Sequence, residues 1–120
     1  MLNRRSLLLA CLACAGVPGT ALAHAALTGS TPPQNGSVPV SGFPVELRFS
    51  GRIDANRSRV TLTLPGGQSR TLAVKAGATA EVLAATVDAV PPGPCQLRYT
   101  VLSVDGHLTS GTIAFTATGP

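Results

Sequence analysis

The sequence predicts an all-β domain: a Greek-key β-sandwich or barrel, immunoglobulin-like, with about seven or more short antiparallel strands. Three observations carry that prediction. Turn residues recur every 8 to 12 positions or so along most of the chain. Between the turns, apolar and polar residues alternate with a period of two. No stretch repeats its apolar residues at the spacing of an amphipathic helix. The chain has 120 residues, with 13 Gly, 10 Pro and only 12% charged residues. That composition suits one small turn-rich domain and argues against a multi-domain enzyme, a coiled coil or a charged disordered tail.

Taken in order, the first segment is not part of the domain. Asn3-Arg4-Arg5 is a positive start, Leu7 to Val17 an apolar run, and Ala21-Leu22-Ala23 a small-x-small cleavage site, so residues 1–23 form a secretory signal peptide. The run of about 11 apolar residues is too short to span a bilayer, which needs about 20. Arg4-Arg5 followed by Ser6-Leu7-Leu8 also resembles a twin-arginine export signal. Cys11 and Cys14 are then small apolar residues of this segment. Cleavage makes residues 24–120 the mature domain, outside the cytoplasm, with His24 as its first residue.

Within that domain, Thr31-Pro32-Pro33-Gln34-Asn35-Gly36 and Ser41-Gly42 are turns. Val45, Leu47 and Phe49 alternate with Glu46, Arg48 and Ser50, which predicts a strand with one wet face. Val60, Leu62 and Leu64 alternate with Thr61 and Thr63 in the same way. Pro65-Gly66-Gly67 turns the chain back through Arg70 to Val74, completing a hairpin. Residues 81–87 fit either a strand or a short helical turn. Cys95, Leu97, Tyr99 and Val101 form one face of a further strand, and Ile113, Phe115 and Ala117 that of the last. With one Tyr, three Phe and no Trp, the core is built from Val, Leu, Ile and Ala.

Charge and cysteine content narrow the function. The formal charge of +4 includes Arg4 and Arg5, and the mature chain carries only about +2, with its basic residues scattered. No basic run interleaved with aromatics exists, which excludes the usual nucleic-acid surface. Cys95 is the only cysteine after cleavage, so no intramolecular disulfide forms, and zinc-thiolate and redox motifs are absent. Its place on an apolar strand face predicts a buried, inert thiol.

Two features carry chemistry. A histidine at a free N-terminus offers a metal two nitrogens from one residue, the α-amine and ring Nδ1. In addition, Asp105-Gly106-His107 ends a strand, and in an extended chain positions i and i+2 point the same way, so a carboxylate and an imidazole project together. His24, Asp105 and His107 together make three nitrogens and one oxygen without sulfur, a set suited to tetragonal Cu(II); Zn(II) and Ni(II) also accept it. The alternative is that Asp105-Gly106 is an ordinary turn with His107 solvated beside it. Both histidines of the chain enter the one proposed site.

Two groups of residues near the ends of the domain are similar to the CopC copper-resistance family of bacterial periplasms. One is His24-Ala25-Ala26-Leu27 with Ser30-Thr31-Pro32 and Gly36. The other is Tyr99-x-Val101-x-Ser103-x-Asp105-Gly106-His107, continuing to Gly111 and Phe115, and between them Val45-x-Leu47-x-Phe49-Ser50 matches the family's central strand. The resemblance implies a Greek-key β fold that binds Cu(II) through the amine and imidazole of His24 with Asp105 and His107. It also implies a periplasmic carrier or store of copper, beside a CopD-type inner-membrane protein, and not an enzyme. Two departures are visible. The only methionine is Met1, so the methionine-rich Cu(I) site of some members is excluded, and Gly51-Arg52 stands where many members carry an acidic residue. Two rival functions are a metal-free immunoglobulin-like adhesion or assembly module and a copper oxidase using an N-terminal histidine brace. The oxidase would need an extended substrate surface, and a domain with no Trp and one Tyr offers little to stack on.

Overall fold

Alternation in sequence becomes alternation in burial. In the strand Phe43–Phe49, Phe43, Val45, Leu47 and Phe49 are buried, while Pro44 and Glu46 are exposed and Arg48 lies between. Each strand thus offers one apolar face, and folding pairs those faces. The computed structural model describes residues 25–119; the expected signal peptide, its cleavage point and His24 lie outside them. The elements are β1 (Leu27–Thr31), β2 (Gly36–Pro39), β3 (Phe43–Phe49), β4 (Ile53–Thr63), β5 (Ser69–Thr71), β6 (Lys75–Ala76), β7 (Val82–Val87), β8 (Gly93–Ser103) and β9 (Leu108–Thr118).

They form two sheets, a four-stranded one in the order β1-β3-β7-β6 and a five-stranded one in the order β2-β9-β8-β4-β5. The fold is therefore an all-β sandwich rather than a closed barrel. Residues 81–87, ambiguous by pattern, contribute the strand β7, which pairs with β3 from Phe43↔Val87 to Arg48↔Val82. The Pro65-Gly66-Gly67 hairpin forms, with Gly66 and Gly67 at φ 95° and 99°. Its second strand ends at Thr71, however, and Lys75–Ala76 joins the other sheet against β7.

The expectation of antiparallel strands needs one correction: β2 runs parallel to β9, from Gly36↔Phe115 to Pro39↔Thr118. Its sequence reads as a turn because it contains Gly and Pro in four residues. What makes it a strand is the neighbour that receives it. The Asn35 amide donates to the Ala114 carbonyl at 2.6 Å, and the Ala114 amide donates to Gln34 Oε1 at 2.5 Å.

Between the sheets, Leu47, Leu62, Leu83, Leu97, Ile113 and Val101 are almost wholly withdrawn from water. Each such side chain contributes about 1.5–3 kcal/mol relative to exposure. The few aromatics stack edge-on across the sandwich, Phe43 on Phe115 at 5.5 Å and Phe49 on Tyr99 at 5.8 Å between ring centroids. Cys95 is buried, as its strand parity predicts, and its Sγ–H points at the Gly93 carbonyl 3.8 Å away. Burial pushes its thiol pKa up.

Candidate metal centre

The β8–β9 ladder closes at Leu102↔Leu108, leaving the segment from Ser103 to His107 to reverse the chain. Here the sequence expectation is corrected in its geometry. Asp105 and His107 stand in a turn and not on an extended strand, so a shared pleat does not align them. The turn itself does so. The Gly106 amide donates to the Ser103 carbonyl at 2.9 Å, and the Ser103 amide to the His107 carbonyl at 2.9 Å. Gly106 takes φ 93°, a left-handed conformation that a residue with a Cβ adopts only with strain.

Ser103 organises the inside of this turn. Its side chain is buried, continuing the inward face of Leu97, Tyr99 and Val101. Its Oγ donates to Asp105 Oδ1 and accepts from the His107 amide at 3.1 Å. Asp105 Oδ1 in turn lies 3.1 Å from His107 Nδ1, with both side chains about half exposed (41% and 48%). The Ser103 hydroxyl first, and His107 second, hold the Asp105 carboxyl below the usual carboxylate range. Carboxylate and imidazole thus converge at the rim of the sandwich, within reach of solvent. Two cis ligands each about 2 Å from one ion lie about 2.8 Å apart, close to this separation.

A second strand end approaches the same place. The Ala26 amide donates to Ser50 Oγ at 2.9 Å, and the Ser50 amide to the Ala26 carbonyl at 2.8 Å. Ala25 is buried, and its Cα is 3.9 Å from the position that a Cβ on Gly51 would take. One residue further, the Arg52 carbonyl accepts the Val104 amide at 3.1 Å. The start of the described chain, the β3–β4 connection and the Asp105 turn are thereby tied into one corner where the two sheets meet.

Asp105 and His107 are therefore brought together, whereas His24 lies outside the described residues. Among the described residues, no group of three or more His, Cys, Asp or Glu side chains gathers in a way that could hold a metal. The nearby carboxylate of Asp54 is committed to Arg57, 3.7 Å away. Ser103, which organises the turn, is the residue that pattern reading passed over. Its signal was present: a serine hydroxyl at an inward-facing position, in line with Leu97, Tyr99 and Val101, has to find a partner inside. Among the described residues, no helix is long and apolar enough to cross a membrane.

Comparison with known proteins gives the family. The sequence model of the CopC domain matches residues 27–118. Protein YobA of Escherichia coli (strain K12) is 30% identical over 96 residues, covering 78% of this chain and 77% of YobA; the Shigella flexneri protein of the same name matches equally. Among solved structures, CopC from Methylosinus trichosporium OB3b superposes with a TM-score of 0.72 at 26% identity, covering 78% of this chain and 93% of that one. PcoC, a methionine-rich copper resistance protein from Escherichia coli, superposes with a TM-score of 0.66 at 23% identity, covering 80% and 100%, and supports the fold alone. The chain belongs to the CopC family, a family of copper-binding proteins rather than enzymes.

Proposed function

We propose that this protein is a periplasmic Cu(II)-binding protein of copper homeostasis or resistance, acting as a carrier or store with one mononuclear site. Residues 1–23 export it, and their removal frees the α-amine of His24. His24 then supplies two nitrogens, His107 a third and Asp105 an oxygen, a sulfur-free set that matches the preference of Cu(II). A CopD-type inner-membrane protein is the proposed copper-exchanging partner.

The observation that carries this reading is the pairing of Asp105 Oδ1 and His107 Nδ1 at 3.1 Å on an accessible rim. The anchoring of Ala25 beside Gly51, whose neighbour Arg52 bonds Val104, supports the approach of the preceding residue to the same corner. Copper is cargo here. The chain's own chemistry is to keep Asp105 ionised through Ser103, to hold His107 beside it, and to offer a neutral amine. That amine has an ordinary pKa of about 7.7–8.0, so binding weakens as pH falls below this range.

The test is Cu(II) titration of the protein beginning at His24, beside a form with one additional N-terminal residue, each followed by electron paramagnetic resonance. The reading expects one-to-one binding with a nitrogen-rich tetragonal spectrum in the first and a clear loss in the second. Equal affinity in both forms overturns the role of the amine, and no binding in either leaves Asp105-Gly106-His107 as a turn only.

A further inference from the structure

The outer face of the five-stranded sheet bears a second arrangement of polar groups, away from the copper corner. Register places its side chains in two adjoining rows. In one, Arg59 stands opposite Thr100 on β8, which stands opposite Ser110 on β9. In the other, Thr61 stands opposite Arg98, which stands opposite Thr112. All six side chains point away from the core, because their strand neighbours Val60, Tyr99, Val101 and Ile113 are buried. The result is a grid, two by three, of guanidinium and hydroxyl groups containing no carboxylate.

Two facts set this grid apart from an ordinary solvated surface. Arg59 and Arg98 are diagonal neighbours on adjacent strands, about 7–8 Å apart at the backbone, so both long side chains reach the same part of this face. Among the described residues, neither guanidinium has an ion pair or hydrogen bond. Arg48 and Arg57 differ, paired with Glu46 and Asp54, and Arg70 bonds the Ala89 carbonyl. Beside Arg98 the surface also dips into a groove of about 370 Å³ lined by Arg98, Thr100, Ser110, Gly111 and Thr112. On this face Ser110 Oγ lies 3.4 Å from Thr100 Oγ1, the one hydroxyl contact in the grid. A planar guanidinium binds oxyanions through paired N–H donors, and hydroxyls on either side extend that donor set.

We propose that this groove is a binding site for a small ligand carrying two or more negative oxygens, a phosphate or a dicarboxylate. Arg98 binds the oxyanion, Thr100, Ser110 and Thr112 donate to its remaining oxygens, and Arg59 neutralises the second charge. The site does not depend on copper, on His24 or on the β8–β9 turn.

The experiment is a chemical-shift titration of the metal-free protein with inorganic phosphate, with succinate, and with chloride at matched ionic strength. Saturable shifts confined to residues 59–61, 98–100 and 110–112 are expected with phosphate or succinate, and the stronger of the two identifies the ligand source. Arg98→Gln should weaken that binding at least tenfold, whereas Lys75→Gln, on the opposite sheet, should leave it unchanged. Shifts that chloride reproduces, that fail to saturate, or that survive Arg98→Gln indicate an adventitious ion only and overturn the proposal. Because the protein is metal-free throughout, none of these results bears on the copper site.

Discussion

Replacing Ser103 with alanine isolates the part of the copper corner that the chain builds without metal. The hydroxyl is buried, accepts the His107 amide at 3.1 Å and donates to Asp105. Losing the neutral bond to the amide costs about 1 kcal/mol. For a domain of this size that lowers Tm by about 4–8 °C. The bond to Asp105 acts on titration. Because the folded state holds this carboxyl below its ordinary value, the resulting stability is fully present above pH 3.8 and is lost as pH falls through the lowered value. In Ser103→Ala the Asp105 titration therefore moves upward, and the acid limb of the stability profile becomes shallower.

The same substitution reports on copper. Groups that orient metal ligands typically change affinity by about 10- to 100-fold when removed, and Ser103 touches both halves of the Asp105–His107 pair. The assays are urea unfolding of the metal-free protein, carboxyl titration by NMR and Cu(II) competition titration. A loss of stability with unchanged copper affinity would refute the claim that the turn is organised for the metal. Unchanged Asp105 titration would refute the assignment of Ser103 as the group holding that carboxyl down.

Two further outcomes follow from the packing. In Gly111→Ala the new Cβ would fall on the Tyr99 hydroxyl and within 2.6 Å of its Cζ, while Tyr99 is fixed against Phe49. Overpacking of about 2 kcal/mol, offset by up to about 1 kcal/mol of chain entropy, leaves about 1–2 kcal/mol and predicts a Tm about 4–16 °C lower by calorimetry. Cys95, buried with its thiol pKa raised, should resist iodoacetamide at pH 8 until the protein is unfolded. The sign at alkaline pH is also fixed: Cys95 contributes stability below pH 9.0 that declines above it, and Cys95→Ser should flatten that alkaline limb in urea unfolding.

What the sequence made legible is what depends on local alternation. Strand β3 and the inward faces of β4, β8 and β9 follow directly from residues such as Leu47, Leu62, Leu97 and Phe115. What stayed hidden depends on a distant partner. Strand β2 holds Gly36 and Pro39, and only pairing with β9 makes it a strand. Strand β6 is two residues held by β7 in the opposite sheet from its sequence neighbour β5. The candidate site divides in the same way. Asp105 and His107 are separated by one residue and could be read as a pair, but their alignment comes from a Ser103-centred turn, which no period-two pattern reports. The approach of the Ala25 end was legible only through resemblance, since the Ser50 bonds that anchor it span 24 residues.

This division leads to a last prediction, resting on the proposed ligand set. Asp105 and His107 belong to the hairpin of the five-stranded sheet, whereas Ala25 leads into β1 of the four-stranded sheet. Copper held by both would be a further link between the sheets, beside their side-chain packing and backbone bonds such as that from the Ile53 amide to the Ala80 carbonyl. A ligand that binds only the folded state stabilises it by about 2.7 kcal/mol at 100 times its Kd, which corresponds to a Tm rise of about 11–22 °C here. The distribution of that gain identifies the link. Hydrogen exchange of the copper-loaded protein beginning at His24 should slow at Ala26 and Ser50, whose amides bond across β1 and the end of β3, as well as at Val104 and His107. With one residue added before His24, slowing should be confined to Val104 and His107. Equal slowing at Ala26 and Ser50 in both forms would mean that the hairpin alone carries the metal and that the corner is closed by packing.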